Sequence, residues 1–371
     1  MKSSIQHCRK CLMPSTRPRI SFNEEGICNA CQWAEEKKNI NWEERESELK
    51  KILESHSSKG ERFDVIVPVS GGKDSCYVSW KLKHEYGLTP LLVHIEPPLP
   101  RVDGNKNLLN LVESGYDCLK MATNSQISKN VAFNELEVFG DPLMSWMISV
   151  RSVVFRTAIN YGVKLIMWGE DGEVEYGGVT TNKNTGFNSL EYHKKIYLSG
   201  NDPSKYLDSY SRAELTNWLL PEEDVFSKAG IQSMHFNYFD SWDPYKNFEV
   251  AKKHCGFEES EERNSGTYTN FAQTDSYMFD LHCFLMYLKF GFGRCTADAC
   301  IDIRRGALER EQAITLVEMF DDVSRDLDLT IFSKYFQKSE KQLLGAIYKH
   351  MNQDLFEIDD NYCLTKKFSI A

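Results

Sequence analysis

Asp64-Val65-Ile66-Val67-Pro68-Val69-Ser70-Gly71-Gly72-Lys73-Asp74-Ser75 is the stretch that decides the fold of this chain. An apolar, β-branched run ends abruptly in two glycines and a polar turn, and Cys76 to Tyr86 then reads as a helix. Glycines at such a junction let the backbone turn sharply and approach an anion closely. The exposed amides and the positive end of the following helix form an anion site. Ser70 and Ser75 add hydroxyl donors, Lys73 adds a charge, and Asp74 adds a carboxylate suited to Mg²⁺. The Walker spacing G-x-x-x-x-G-K-[ST] is absent.

Outward from this stretch the rhythm of short apolar strands and helices continues. Leu91-Leu92-Val93-His94-Ile95 reads as a second strand, Lys106 to Ser114 as a helix, Cys118 to Met121 as a short third strand. Trp146 to Tyr161 reads as helix and Lys164-Leu165-Ile166-Met167-Trp168 as a further strand. Such alternation predicts an α/β fold, a mainly parallel Rossmann-like sheet with helices on both faces and ligands at the carboxyl ends of its strands. Four regions follow: a cysteine module over 1–34, a linking helix over 35–60, the α/β core over 61–235 and a mainly helical region over 236–371. In the last, helices are expected over Tyr277 to Phe290, Arg310 to Phe320 and Glu340 to Met351. Residues 179–230 are polar and poorly periodic and suggest an insertion or lid.

Composition narrows the function classes. With 41% hydrophobic and 12% aromatic residues in 371, the chain has ample material for a core. No apolar run reaches the roughly eighteen residues of a membrane span, and the start lacks a secretory signal, so a cytoplasmic protein is expected. A net charge of −10 without a basic run lowers the prior for nucleic acid and favours a small-molecule substrate. Of the eleven cysteines, Cys8, Cys11, Cys28 and Cys31 form two C-x-x-C knuckles. Two knuckles can complete a tetrahedral zinc site, closed to substrate and therefore structural. An iron–sulfur cluster is the alternative.

The Ser70–Ser75 loop resembles the S-G-G-x-D-S signature of the pyrophosphate-loop ATPases (adenine nucleotide alpha hydrolase-like), which cleave ATP between the α and β phosphates. Trp168-Gly169-Glu170-Asp171-Gly172-Glu173-Val174-Glu175-Tyr176-Gly177-Gly178 resembles the loop of asparagine synthetase in which an acidic pair precedes a closing Gly-Gly. That resemblance places Glu170 on the family's glutamate and Glu173 on an aspartate. Carboxylates facing a triphosphate act through Mg²⁺ or a protonated substrate group, so Glu173 joins Asp74 as a magnesium candidate.

A closer resemblance spans nearly the whole chain. Cys8-Arg9-Lys10-Cys11-Leu12-Met13-Pro14, Phe22 to Cys28, the Ser70–Ser75 loop, Lys289-Phe290-Gly291-Phe292-Gly293-Arg294, and Asp302-Ile303-Arg304-Arg305-Gly306 with Arg310-Glu311 are similar to the N-acetyl sugar amidotransferases of bacterial surface-polysaccharide and flagellin-glycan pathways. The resemblance implies conversion of an acetamido into an acetamidino group on a sugar, expected to be nucleotide-linked, with consumption of ATP. Lys73, Asp74, Glu170, Glu173 and Arg304 are then the catalytic candidates. Ser70 to Ser75 would hold ATP, with Lys289, Arg294 and Arg305, whose guanidinium forks suit phosphate, as further contacts.

A chain that liberated its own ammonia from glutamine would need a nucleophilic thiol. Position 2 is Lys, and neither Gly26 to Ala30 nor Gly293 to Ala297 has the G-x-C-x-G spacing followed by His-x-Glu. Ammonia from a separate glutaminase is therefore expected. The rival reading is a tRNA-thiolating or other tRNA-modifying enzyme of the same loop class. A non-catalytic nucleotide sensor is the third.

Overall fold

The computed structural model describes residues 5–169, 172–324, 327–359 and 362–370. Five strands, β1 (Val65–Pro68), β2 (Pro90–Ile95), β3 (Asp117–Met121), β4 (Leu165–Trp168) and β5 (Gln232–His235), form one sheet in the order β3-β2-β1-β4-β5. Every pairing in it is parallel, with Ile66 beside both Leu91 and Ile166. A parallel sheet must be covered on both faces, and β2 and β4 are buried along their whole length. Leu92, Val67 and Met167 meet one layer of helices, while Ile66, Val93 and Ile166 meet the other.

This is the pyrophosphate-loop α/β architecture expected from the sequence, and its strand order has a functional consequence. The chain reverses direction across the sheet between β1 and β4, and crevices open at such switch points outside the carboxyl ends of the strands. The Ser70–Ser75 loop leaves β1 there, and Gly169 leaves β4 beside it.

Several elements escaped the pattern reading, among them the helices Ser125–Phe139 and Arg294–Arg304. Strand β5 is short and flanked by polar sequence, and the helix Pro244–Cys255 is capped by Asp243, which accepts from Tyr245 and Lys246. Residues 179–230 hold only short helical turns, yet they are anchored: Leu215 and Trp218 pack with Ile148 of the helix Met144–Tyr161. The cysteine segment shares its core with Phe292, Cys295, Ala299 and Cys300. It thus leans on the helices Arg294–Arg304 and Arg310–Phe320. An antiparallel pair, β6 (Phe356–Ile358) and β7 (Leu364–Lys366), ends the described fold. Among the described residues no helix is long and apolar enough to cross a membrane.

Candidate functional site

The loop after β1 is built for close approach. Gly71 has φ +89°, and a Cβ there would stand 2.7 Å from the Leu108 amide nitrogen and 2.8 Å from the Gly104 carbonyl. Only glycine satisfies both demands at this position. Gly72 precedes the helix Lys73–Trp80, and the Ser75 hydroxyl donates to the Gly72 carbonyl at 3.0 Å. The first-turn amides of this helix therefore face the crevice, with the Ser70 hydroxyl beside the Gly72 amide.

Asp74 is held from three sides. Its Oδ1 accepts from Trp242 Nε1 at 3.0 Å and Asn247 Nδ2 at 2.7 Å, and its Oδ2 lies 2.7 Å from Lys73 Nζ. Burial alone would raise its pKa, but the lysine and the two side-chain donors outweigh burial and hold the carboxyl below its usual range. Lys73 itself is buried, over the Phe271 ring.

A cavity of about 360 Å³ opens on this loop. Ser70, Gly72, Asp74 and Ser75 line one end; Val93, Ile95, Trp146, Met147 and Val150 make an apolar wall. Such a mixture suits a nucleotide, with phosphates on amides and a base on apolar surface. The helix that supplies Met147 and Val150 also brings to the cavity a residue that sequence reasoning missed, Arg151. It is 6% exposed, lines the cavity, and its Nε has no partner. No carboxylate pairs with it among the described residues; it sits over the rings of Tyr197 (4.5 Å) and Trp168 (5.3 Å). Burial lowers its pKa to about 10. The neighbouring His235, hydrogen-bonded to Asn188 and to Tyr197, is pushed down to about 3 by burial and by Arg151. An arginine inside an otherwise apolar helix segment is a signal that the sequence does carry, but only the fold reveals that it faces the loop.

The remaining sequence candidates scatter. Glu170 lies outside the described residues. Glu173 does not face the phosphate loop with Asp74; its carboxylate engages Arg19 at 2.9 and 2.5 Å and accepts from the Val179 amide. The reason is local: the helix Gly172–Tyr176 packs on Asn29–Glu36, so its acidic side chains turn to the cysteine segment. Glu175 follows suit, bonded to Trp33, Lys37 and Asn237. Among the described residues the pair Asp74 and Glu173 therefore does not assemble into a two-carboxylate magnesium seat.

Of the C-terminal cations, Arg294 lines a small crevice with Lys73, paired to Asp298 at 2.8 Å. Arg304 and Arg305 face a different cavity. Lys289 is turned away from the loop, donating to the Gly140 carbonyl at 2.9 Å at the end of the helix Ser125–Phe139, where a cation satisfies free carbonyls. Arg310 contacts the Cys11 carbonyl at 3.3 Å. His94, on β2, is buried with Nδ1 3.0 Å from the Val69 carbonyl.

The four cysteines converge. Sγ of Cys8 lies 3.9 Å from that of Cys31, Sγ of Cys11 lies 3.7 Å from that of Cys28, and all four fall within 4.8 Å of one another. Thiolates each about 2.3 Å from one tetrahedral ion stand about 3.8 Å apart, so the set fits a single ion. Backbone amides of Cys11 and Cys28 point at the Cys8 sulfur, and that of Met13 at the Cys11 sulfur, further stabilising thiolate charge.

A five-stranded parallel sheet with an S-G-G-K-D-S loop at its switch point defines a protein of the pyrophosphate-loop class. Within that class, residues 265–369 match the family model described as LPS biosynthesis protein WbpG-like, C-terminal domain. The match covers the Lys289–Arg294 and Asp302–Glu311 motifs and supports, over the C-terminal part of the chain, the likeness to a surface-polysaccharide biosynthesis family. No curated protein matches the sequence. Among solved structures, the U34-tRNA thiolase NcsA from Methanococcus maripaludis, with its [4Fe-4S] cluster, is similar at 13% identity over 88% of this chain and 93% of that one, TM-score 0.33. The NH3-dependent NAD synthetase from Campylobacter jejuni, in complex with nitrate, is similar at 14% identity over 49% and 99%, TM-score 0.30. The NMN synthetase from Francisella tularensis follows at 14% identity over 58% and 94%, TM-score 0.27. Likenesses of this size carry no argument about the reaction.

Proposed function

We propose that the chain is an ATP-dependent amidotransferase that turns the acetamido group of a bacterial glycan sugar into an acetamidino group, forming AMP and pyrophosphate. The observation that carries the reading is one cavity that joins the Ser70–Ser75 loop, an apolar wall for adenine and the buried Arg151.

An amide carbonyl is a poor electrophile until its oxygen becomes a leaving group. The acetamido oxygen attacks the α-phosphorus of ATP; an oxygen–phosphorus bond forms as the bond to the departing pyrophosphate breaks. Ammonia adds to the imidate carbon, AMP leaves with the oxygen, and the amidine remains after loss of a proton. No enzyme nucleophile is needed, so the residues have to position ATP and sugar and stabilise developing charge. The amides of Gly71 and Gly72 with Ser70 and Ser75 hold phosphate oxygens, Lys73 neutralises them, and Asp74 fixes Lys73. Arg151 supplies the second cation. Mg²⁺ enters with ATP. Zinc held by Cys8, Cys11, Cys28 and Cys31 keeps the N-terminal segment folded, a reading supported by sulfur spacings that suit one tetrahedral ion. Ammonia comes from a separate glutaminase, and the enzyme works in the cytoplasm, where ATP is made.

The test is AMP and pyrophosphate release from ATP with ammonium and a panel of nucleotide-linked N-acetylated sugars. AMP that depends on one sugar, with a product one mass unit lighter, is the expected result. AMP release that depends instead on added tRNA would overturn the reading in favour of RNA modification.

A further inference from the structure

A second cavity, of about 330 Å³, lies where the cysteine segment, the helix Trp42–His56 and the helix Arg294–Arg304 meet. Lys37, Lys38, Arg304 and Arg305 line it, against two carboxylates, Glu175 and Asp243. Such a cationic surplus stands out in a chain of net charge −10. One of the two carboxylates is already committed: Glu175 takes Lys37 at 2.7 Å and the Trp33 indole at 3.1 Å. Arg304 Nη1 is buried without a partner, although its Nη2 reaches the Glu175 carbonyl at 3.2 Å. The cations at the mouth are paired with carboxylates, Arg305 with Asp243 at 3.6 Å and Asp302 at 3.5 Å, and the exposed Lys38 with the exposed Glu35 at 2.7 Å. Exposed pairs of this kind are weak, and phosphate oxygens can replace them.

Two indoles complete the lining, Trp42 and Trp242. Trp242 also donates to Asp74, so one wall of this cavity is the back of the phosphate loop. Flat aromatic surface beside several cations is the chemistry that receives a base and its phosphates.

We infer that this cavity is a second nucleotide site, binding the nucleoside-diphosphate handle of the sugar substrate while ATP occupies the loop cavity. The inference rests on the amidotransferase reading and adds to it how the sugar is held. The handle stays at Trp42, Lys38 and Arg305, and the sugar extends past Trp242 toward the loop. Neither indole nor mouth cation belongs to the ATP cavity, so the two affinities are separable.

Isothermal titration of the full chain tests this, with UDP-, GDP- and dTDP-linked N-acetylated sugars and with ATP in separate cells. One of the linked sugars binds the native chain, and Lys38→Glu/Arg305→Glu weakens it at least tenfold while ATP affinity stays within twofold. Binding of none of them, or binding the variant leaves unchanged, overturns the inference. A parallel loss of ATP affinity, repeated in the milder Lys38→Ala/Arg305→Ala pair, assigns the cavity to ATP and overturns it too. Loss of tRNA binding in place of sugar-nucleotide binding does the same. Selective loss of sugar-nucleotide binding in a chain that releases no AMP with any sugar keeps the site and removes the amidotransferase reading.

Discussion

Replacing Arg151 with methionine separates a functional charge from a structural one by the sign of two effects. Arg151 is 6% exposed and carries its charge against aromatic rings with no carboxylate partner among the described residues. Burial draws its pKa from 12.5 to about 10. At 1.36 kcal/mol for each pKa unit, keeping the charge there costs the folded chain on the order of 3 kcal/mol. Methionine preserves most of the apolar stem and removes the uncompensated charge, so the ligand-free protein becomes more stable. With unfolding entropy of about 2.1 cal/mol/K per residue, that gain raises the melting temperature by roughly 4 °C if all 371 residues unfold together. In the same variant ATP loses a charge-assisted hydrogen bond, about 1.5–3 kcal/mol, or roughly 10- to 100-fold in affinity. Differential scanning calorimetry and ATP titration read the two effects on one sample. A lower melting temperature with unchanged ATP affinity would show a packing residue and refute the reasoning.

Other expectations bear on the loop, the metal and pH. Gly71→Ala forces a Cβ to 2.7 Å from the Leu108 nitrogen at positive φ, and should cost at least about 1–2 kcal/mol in a denaturant melt and abolish ATP binding. Asp74→Asn keeps an acceptor for Trp242 and Asn247 but removes the counter-charge of the buried Lys73; kcat should fall on the order of 10²-fold, and the melting temperature should fall as well. Freshly purified protein should contain about one zinc per chain by elemental analysis, and Cys28→Ser should lose both metal and soluble yield. His235 is held neutral in the folded chain, with a pKa near 3 against 6.5 for an unperturbed histidine. The unfolded chain takes up the proton first, so stability present above pH 6.5 declines as the pH falls toward 3. His235→Asn should flatten that decline in urea melts across the same window.

The strand, the glycine turn and the helix of residues 64 to 86 were legible because their determinants are local. An apolar β-branched run, two glycines and a following amphipathic stretch name their own conformations whatever surrounds them. The C-x-x-C knuckles were legible for the same reason, since each presents two thiolates from one turn. Contacts made by single charges across the fold were not legible. Glu173 has the company of a magnesium ligand in the sequence, yet Arg19 takes its carboxylate. Lys289, Arg294, Arg304 and Arg305 look like one cluster in the sequence, but the fold sends them to a helix end, to the crevice beside Lys73 and to a second cavity. Arg151 sits within a helix and its place on the cavity emerges only once β4 and β5 bring Trp168 and His235 around it. The sequence by itself determined the strand, turn and helix of the phosphate loop and the paired cysteine knuckles, because backbone preference and side-chain period act over a few residues. Only the tertiary structure decided which charges line a cavity and which are taken up by protein partners, because a charge's partner is set by the packing of segments far apart in the chain.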